Sequence, residues 1–149
     1  MPEKATRISH AATVIVPVSD QDRAIEFYVG ALGFEKRLDF HYGEGERWVE
    51  VAPPGAETRL TLAQSSDGQP TGIETRVALS SEDIDADHAD LRARGVDVDE
   101  AILRKGDPVV HWGGAVQAGV PPMFLLRDPD GNSFLIVQGP RPEPADPAR

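Results

Sequence analysis

The amino-acid sequence predicts an α+β domain made of two modules, each with the order strand, helix, strand, strand, strand. Three observations predict this fold. Short runs rich in β-branched and aromatic residues are separated by turn-forming segments such as GEG and PPGAE. Two segments show the apolar spacing of an amphipathic helix. The whole series of patterns then recurs at an offset of about 62 residues, which indicates an internal repeat.

The first module is predicted over residues 13–66. The run TVIVPV predicts a strand, because short β-branched runs favour extended structure. A helix from about Asp20 to Leu32 follows, since Ser19 and Asp22 have capping-box spacing and Gly33 supplies the left-handed residue that ends many helices. The runs EKRLDFHY, ERWVEVA and TRLTLAQ predict three further strands.

The second module is predicted over residues 73–138, after a linker, SSDGQPTG. TRVAL predicts a strand, and SSEDIDADHADLRARG predicts a helix with a serine cap and a terminal Gly95. VDVDEAILR, PVVHW, PPMFLLR and NSFLIVQ are strand candidates, although the stretch from Gly106 to Pro122 is rich in glycine and proline and predicts a loop or lid. We expect one domain over residues 13–138 and a disordered proline-rich tail over 139–149.

Composition narrows the function. The chain of 149 residues has no cysteine, which excludes disulfides, thiolate metal sites and cysteine nucleophiles. Its 25 acidic and 15 basic residues give a net charge of −10, which repels the phosphates of nucleic acids. No apolar run approaches a membrane span and no secretory signal pattern is present, so we expect a cytoplasmic protein without membrane contact. The acidity favours solubility or the attraction of a cationic small molecule.

The opening VPVSDQDRAIEFYVGALGF and the closing FLLRDPDGNSFLIVQ, on this repeated architecture, resemble the vicinal oxygen chelate superfamily of glyoxalases, bleomycin-resistance proteins and dioxygenases. The resemblance covers about Thr13 to Gln138. It implies an open, cup-like mixed sheet with helices outside, a binding site inside the cup, and a homodimer. The DPDG segment itself predicts a hairpin turn rather than a catalytic motif.

In metal-dependent members of this superfamily, the first and last strands of each module supply the ligands. The resemblance implies that Thr13, Thr61, Arg76 and Leu135 stand at those positions, and strand alternation agrees with cup-facing side chains at Thr13, Thr61 and Arg76. Threonine is not a normal ligand of divalent metals, arginine carries a fixed positive charge, and leucine has no donor atom. We therefore predict that this protein binds no metal there and needs no cofactor.

Other residues are candidates for contact with a ligand. Trp48 and Glu50 share one face of RWVEV, so an aromatic ring and a carboxylate could project into the cup together. The alternative is that Trp48 belongs to the core or a dimer interface, and that Glu50 is solvated or paired with an arginine. A cup-facing Arg76 should meet Glu50, Glu74 or the anionic group of a ligand.

His111 and Trp112 are neighbours in the predicted lid, where the imidazole could transfer a proton and the indole could stack on a ligand. The alternative is that His111 is an ordinary surface histidine. No nucleophile elbow, P-loop or dinucleotide-binding glycine pattern occurs in the sequence.

Three functions remain open. The first is metal-independent binding of a small molecule of planar or cationic character, as in bleomycin-resistance proteins. The second is an enzyme, namely a lyase, isomerase or extradiol-type dioxygenase that uses atypical metal ligands, or acid–base catalysis by Glu50 or His111. The third is a dimeric interaction module whose pocket matters less than its interface.

Overall fold

The first unit of the structure contains a four-stranded mixed sheet in the order β1-β4-β3-β2. The computed structural model describes residues 5–66 and 69–140, and these fall into two compact units that divide between Gln69 and Pro70. Strand β1 is parallel to β4, whereas β2 and β3, and β3 and β4, are antiparallel pairs. The strands are β1 (Thr13–Val18), β2 (Glu35–Tyr42), β3 (Glu46–Ala52) and β4 (Arg59–Gln64).

Helix α1 (Gln21–Ile25) connects β1 to β2 and continues as a π-helical segment, Glu26–Ala31. The predicted serine cap is wrong by one residue, because the side chain of Asp20 accepts the hydrogen bond from the backbone N–H of Arg23 at 3.1 Å. Aspartate caps a helix as well as serine does and adds a negative charge at the positive end of the helix dipole.

One face of this sheet forms the core of the first unit. The alternating side chains on this face are fully buried together with the aromatic ring of Tyr28, and they include Val16, Val18, Val49, Val51 and Leu62. Gln21 fixes α1 to the sheet, because its amide donates to the backbone oxygens of Arg47 and Leu62 at 2.9 Å each. The opposite face of the sheet is therefore the one left for function.

The second unit repeats this plan with an added hairpin. Its sheet has the order β5-β10-β9-β6, with β5 parallel to β10, and a separate two-stranded sheet pairs β7 with β8. The elements are β5 (Glu74–Ser81), α2 (Ile84–Ala93), β6 (Asp97–Val98), β7 (Val110–Trp112), β8 (Ala115–Gln117), β9 (Met123–Arg127) and β10 (Ser133–Gln138). The first unit thus has the predicted strand–helix–strand–strand–strand order, the second has it with the β7–β8 hairpin inserted after β6, and the α+β fold class is confirmed.

Several local predictions for the second unit are wrong. Asp83, not a serine, caps α2, and its side chain accepts from the backbone N–H of Ala86 at 3.1 Å. The run VDVDEAILR forms only the two-residue strand β6 and one isolated bridge between Leu103 and Met123. The stretch predicted as a loop or lid contains the β7–β8 hairpin, since Gly113 and Gly114 adopt positive φ angles of 67° and 79° at its tip.

The predicted DPDG turn joins β9 to β10. Asp128 accepts two backbone hydrogen bonds at 2.9 Å, from Asp130 and Asn132, and Gly131 has a φ of 83°. Asn132 is fully buried, and its side-chain oxygen accepts from the backbone N–H groups of Gly72 and Ile73 at 2.9 and 3.0 Å. The turn therefore also holds the segment that leads into β5.

Two expectations fall wholly or partly outside the described residues. The predicted disordered tail includes 141–149, and the predicted linker includes 67–68, none of which is described. That residues 13–138 form one domain stays a prediction. Among the residues described, no helix has the length and apolar composition needed to cross a membrane.

Candidate functional site

The face of the first sheet opposite its core, here called the open face, carries the sequence-predicted residues of the first unit. Strand register places Ile15, Thr61, Glu50 and Leu38 in one row across all four strands. Trp48 lies opposite Phe40 in the neighbouring pair. Together with Thr13, Arg59 and Tyr42, these residues define the open face.

The apolar side chains of the open face are unusually exposed. The exposed fractions are 61% for Ile15, 40% for Leu38, 47% for Phe40 and 46% for Tyr42. The rings of Phe40 and Tyr42 contact each other with centroids 6.0 Å apart and planes tilted by 50°. Leu38, Phe40 and Tyr42 follow one another along β2, and exposed apolar groups of this kind mark binding sites.

Polar side chains lie in the middle of this apolar face. Thr61 is fully buried, and its hydroxyl forms a 2.7 Å hydrogen bond with the hydroxyl of Thr13. Glu50 is only 7% exposed, and the guanidinium Nη1 of Arg59 donates to its carboxylate at 3.4 Å. This long contact is the one hydrogen bond to the Glu50 side chain within the described residues. The carboxylate therefore has acceptor capacity left for a ligand.

Sequence reasoning missed two residues of this face, Arg59 and Leu38. The alternation of TRLTLAQ contains the signal for Arg59, since it stands two residues before Thr61 and so faces the same side. Strand alternation could not place Leu38 on this face, because a register irregularity between Lys36 and Leu38 shifts the pairing of β2 with β3. Glu50 does contact an arginine, as that part of the alternative expected, and its contact with a ligand stays a prediction.

The residues at the metal-ligand positions do not fit a divalent cation. Thr13 and Thr61 bond to each other, Leu135 has no donor atom, and Arg76 is a cation. Over 5–66 and 69–140, no group of three or more His, Asp or Glu residues is arranged to hold a metal. We therefore derive no chemistry through a metal at these positions.

In the second unit, the sheet face that carries Leu135 is covered by the chain itself. Trp112, Met123 and Leu135 form a buried cluster, and partly buried side chains packed against it are Leu103, Leu125 and Val137. The indole N–H of Trp112 donates to the hydroxyl of Ser133 at 2.8 Å. We call this surface the covered face.

Little space remains under the hairpin. A cavity of about 20 Å³ lies among Trp112, Met123, Leu135 and their neighbours, which is room for about one water molecule. The expectation that Trp112 stacks on a ligand is therefore a misassignment, because the ring is 6% exposed and belongs to the core. His111 alternates to the other side of β7 and is exposed.

Arg76 does not follow the strand alternation predicted for it. Its backbone has a φ of 62°. In the pairing of β5 with β10, Glu74 lies opposite Ser133 and Ala78 lies opposite Leu135. Three residues of β5 therefore stand opposite one residue of β10, Phe134. The expected pairing with Glu74 is wrong, because that carboxylate accepts from the backbone N–H of Gly113 at 3.3 Å. No described carboxylate of its unit forms an ion pair with Arg76.

The strongest electrostatic contact of the first unit lies on the core side of the sheet. Arg47 donates to both carboxylate oxygens of Asp39 and to Asp22 in α1, at 2.8 Å each. The guanidinium of Arg47 lowers the pKa of Asp39 well below its ordinary value, and Lys36 adds to the effect. This cluster fastens α1 to β2 and β3 and does not reach the open face.

Comparison with known proteins shows to which family this architecture belongs. The family model of the Glyoxalase/Bleomycin resistance protein/Dioxygenase superfamily matches residues 7–136. The uncharacterised protein YetH of Bacillus subtilis (strain 168) is 31% identical over 133 residues, which cover 88% of this chain and 99% of YetH.

Two solved structures are similar along nearly their whole length. TnmS3, an antibiotic binding protein from Streptomyces sp. CB03234, is 36% identical with a TM-score of 0.67, over 89% of this chain and 98% of TnmS3. A superfamily member from Sphaerobacter thermophilus DSM 20745 is 31% identical with a TM-score of 0.75, over 90% of this chain and all of that one. The chain therefore belongs to the glyoxalase, bleomycin-resistance and dioxygenase superfamily.

Proposed function

We propose that this protein binds a small organic molecule on the open face of its first unit, without a metal. The observation that carries the proposal is the row Ile15–Thr61–Glu50–Leu38, in which a buried carboxylate stands among exposed apolar side chains. Sites for small molecules combine a mostly apolar lining with a few polar groups in this way.

The chemistry of the face favours a planar ligand with a cationic or hydrogen-bond-donating group. Phe40, Tyr42 and Trp48 offer aromatic surface for stacking, and such contacts orient planar molecules. The Glu50 carboxylate accepts hydrogen bonds only, and a cationic donor adds Coulomb attraction to the hydrogen bond that a neutral donor would form with it. The net charge of −10 attracts cations over a longer range.

Similarity to TnmS3 supports binding over catalysis. That protein is an antibiotic binding protein of the same superfamily and is 36% identical to this chain. The open face holds no arrangement of nucleophile, base and orienting group among its described residues, so the geometry favours capture of a ligand over its conversion.

Calorimetry with an aromatic ligand pair tests the proposal. Proflavine serves as the planar cation and 9-acridinecarboxylate as its anionic analogue. We expect proflavine to bind more tightly. Glu50→Gln should lower its affinity about tenfold, since a hydrogen bond to a charged group contributes about 1.5–3 kcal/mol. Phe40→Ser should weaken both compounds through lost stacking.

Val116→Ser is the matched control, because Val116 is 56% exposed in the β7–β8 hairpin and lies outside the open face. It should bind both compounds as the unaltered protein does. The proposal is overturned if neither compound binds, or if Glu50→Gln and Phe40→Ser bind them with unchanged affinity.

We also propose that residues 13–138 act as one domain and that the chain forms a homodimer, as its family membership implies. Light scattering at micromolar concentration should give about twice the chain mass of 16.1 kDa. A monomeric mass under those conditions would contradict the dimer.

A further inference from the structure

We propose that Arg76 in the second unit binds the carboxylate group of a small molecule, a role that the proposed function does not assign to it. The proposal starts from an outlier of the backbone. Arg76 has a φ of 62°, in the left-handed region that side chains other than glycine rarely adopt. Residues in such conformations persist where the surrounding structure holds them, and they occur preferentially at functional sites.

The local structure shows what holds Arg76 in this conformation. Thr75, Arg76 and Val77 bulge out of β5 opposite Phe134, as the register of β5 with β10 requires. The hydroxyl of Thr75 donates to the backbone oxygen of Ser133 at 2.7 Å and accepts from the backbone N–H of Val77 at 3.2 Å. These bonds replace the missing ladder contacts, and a bulge of this kind changes the direction of its side chain.

The side chain of Arg76 lies along the glycine tip of the β7–β8 hairpin. A Cβ atom built on Gly113 would lie 3.7 Å from Cγ of Arg76, and one on Gly114 would lie 3.8 Å from its Nη2. The guanidinium thus lies beside the tip, where side chains at these two glycines would contact Arg76. Arg76 remains exposed, so an incoming anion can reach it.

The charge of Arg76 is the second unusual feature. The other arginines in strands each pair with a carboxylate, and they are Arg37, Arg47, Arg59 and Arg127. Arg76 has no such partner within 5–66 and 69–140, although the chain carries 25 acidic residues. The guanidinium of Arg76 lies beside the hairpin tip, is accessible, and pairs with no carboxylate among the described residues. Its parallel N–H groups can donate to two oxygens of an oxyanion at once.

The surroundings favour a singly charged carboxylate over phosphate. The nearby hairpin N–H of Gly113 already donates to the carboxylate of Glu74. Glu74 offsets the charge of Arg76, and the remaining excess of negative charge, a net −10 for the chain, repels a doubly charged phosphate more strongly than it repels a carboxylate. The ligand class is therefore a monocarboxylate.

Nuclear magnetic resonance on the full chain tests this site. The side-chain Nε–Hε signal of Arg76 is followed during titration with benzoate and, separately, with inorganic phosphate at equal ionic strength. We expect a saturable shift of that signal, and of the Gly113 and Gly114 amides, with benzoate at lower concentration than with phosphate. Arg76→Gln should abolish the saturable response at the glycine amides, and Arg76→Lys should weaken it several-fold.

Arg92→Gln is the matched control, because Arg92 is an exposed arginine of α2 in the same unit. It should leave the benzoate response unchanged. Arg76→Gly separates binding from folding, since glycine suits the left-handed backbone and should preserve the fold while the response is lost.

The proposal is overturned if benzoate gives no saturable shift, or if Arg76→Gln shows the same response as the unaltered protein. Tighter binding of phosphate than of benzoate would overturn the assignment to carboxylates. None of these outcomes bears on the open face, which is tested through Glu50 and Phe40.

Discussion

The open face of the first sheet and the covered face of the second sheet differ in what lies over them. Leu38 and Phe40 are exposed on the open face, whereas Leu135 on the covered face is 7% exposed beneath Trp112. The difference arises from one insertion, because the second unit has the β7–β8 hairpin between β6 and β9, whereas the first unit has no hairpin at the corresponding place between β2 and β3. A repeated fold can thus leave a sheet face exposed in one copy and cover it in the other.

The largest expected effect that tests this comparison is the loss of the hairpin anchor. Trp112→Ala should reduce the free energy of unfolding by about 3–5 kcal/mol, because it empties a buried site whose walls collapse only in part. Trp48→Ala, on the half-buried ring of the open face, should cost about 1–2 kcal/mol. Urea denaturation of both variants measures the two losses.

Added indole sharpens this test, since an apolar cavity binds a small aromatic molecule that matches the deleted group. Millimolar indole should recover part of the stability of Trp112→Ala and none of that of Trp48→Ala. Equal losses in the two variants would show that the two faces are not different in the way described.

A medium effect is expected at the ion pair on the core side of the first sheet. Arg47 lowers the pKa of Asp39 in the folded state. This stabilisation is therefore fully present above the unfolded-state pKa of about 4, and it is lost as the pH falls through the lowered folded-state pKa. Asp39→Asn should cost about 1–2 kcal/mol at pH 7.

The same variant should flatten the decline of stability below about pH 4, because its position no longer binds a proton on unfolding. Denaturation curves measured between neutral pH and acid, for both proteins, check this. An unchanged acid dependence in Asp39→Asn would remove Asp39 as its source.

A smaller effect, of the opposite sign, is expected at Arg76. Arg76→Gly should raise the free energy of unfolding by about 0.5–1 kcal/mol. The left-handed backbone costs about 1–2 kcal/mol for a residue with a Cβ, and glycine avoids this cost. Part of the gain is offset because glycine has greater conformational freedom in the unfolded chain. Thermal unfolding with Arg92→Gln as the control measures the change. A clear loss of stability would mean that the Arg76 side chain is a structural support.

The smallest effect concerns metals. After incubation with nickel, zinc, iron or manganese and then dialysis, the protein should retain no stoichiometric metal, and its melting temperature should not change with any of them. Thr13, Thr61, Arg76 and Leu135 supply no suitable set of donors. Retention of about one equivalent per chain would contradict the assignment and favour the enzyme hypothesis.

The sequence pattern predicted correctly those strands whose bounds depend on neighbouring residues in the chain. The observed bounds of β1, β2 and β3 coincide with the runs TVIVPV, EKRLDFHY and ERWVEVA, because alternation and turn residues specify them together. The helix caps were displaced by a residue or more, since serine and aspartate compete for the same position at Asp20 and Asp83.

The misassigned site residues depend on contacts between segments distant in the chain. Trp112 is buried because its hairpin docks on Met123 and Leu135, and no period in the sequence encodes that docking. Arg76 leaves the alternation because the bulge is closed by a bond from Thr75 to Ser133, which is 58 residues away in the chain. Trp48 and Glu50 were placed on one face because their strand is regular.

The buried side chain of Asn132 limits where a gene segment that encodes the second unit could begin. It binds the N–H groups of Gly72 and Ile73, and a Cβ on Gly72, whose φ is 73°, would approach the backbone oxygen of Asp130 to 3.0 Å. The start of β5 and the turn before β10 are therefore interdependent. A recombination event that moved this half of the gene would need to break the sequence before Gly72, because a boundary at the first strand residue would replace the glycine whose backbone conformation presents these N–H groups to the asparagine.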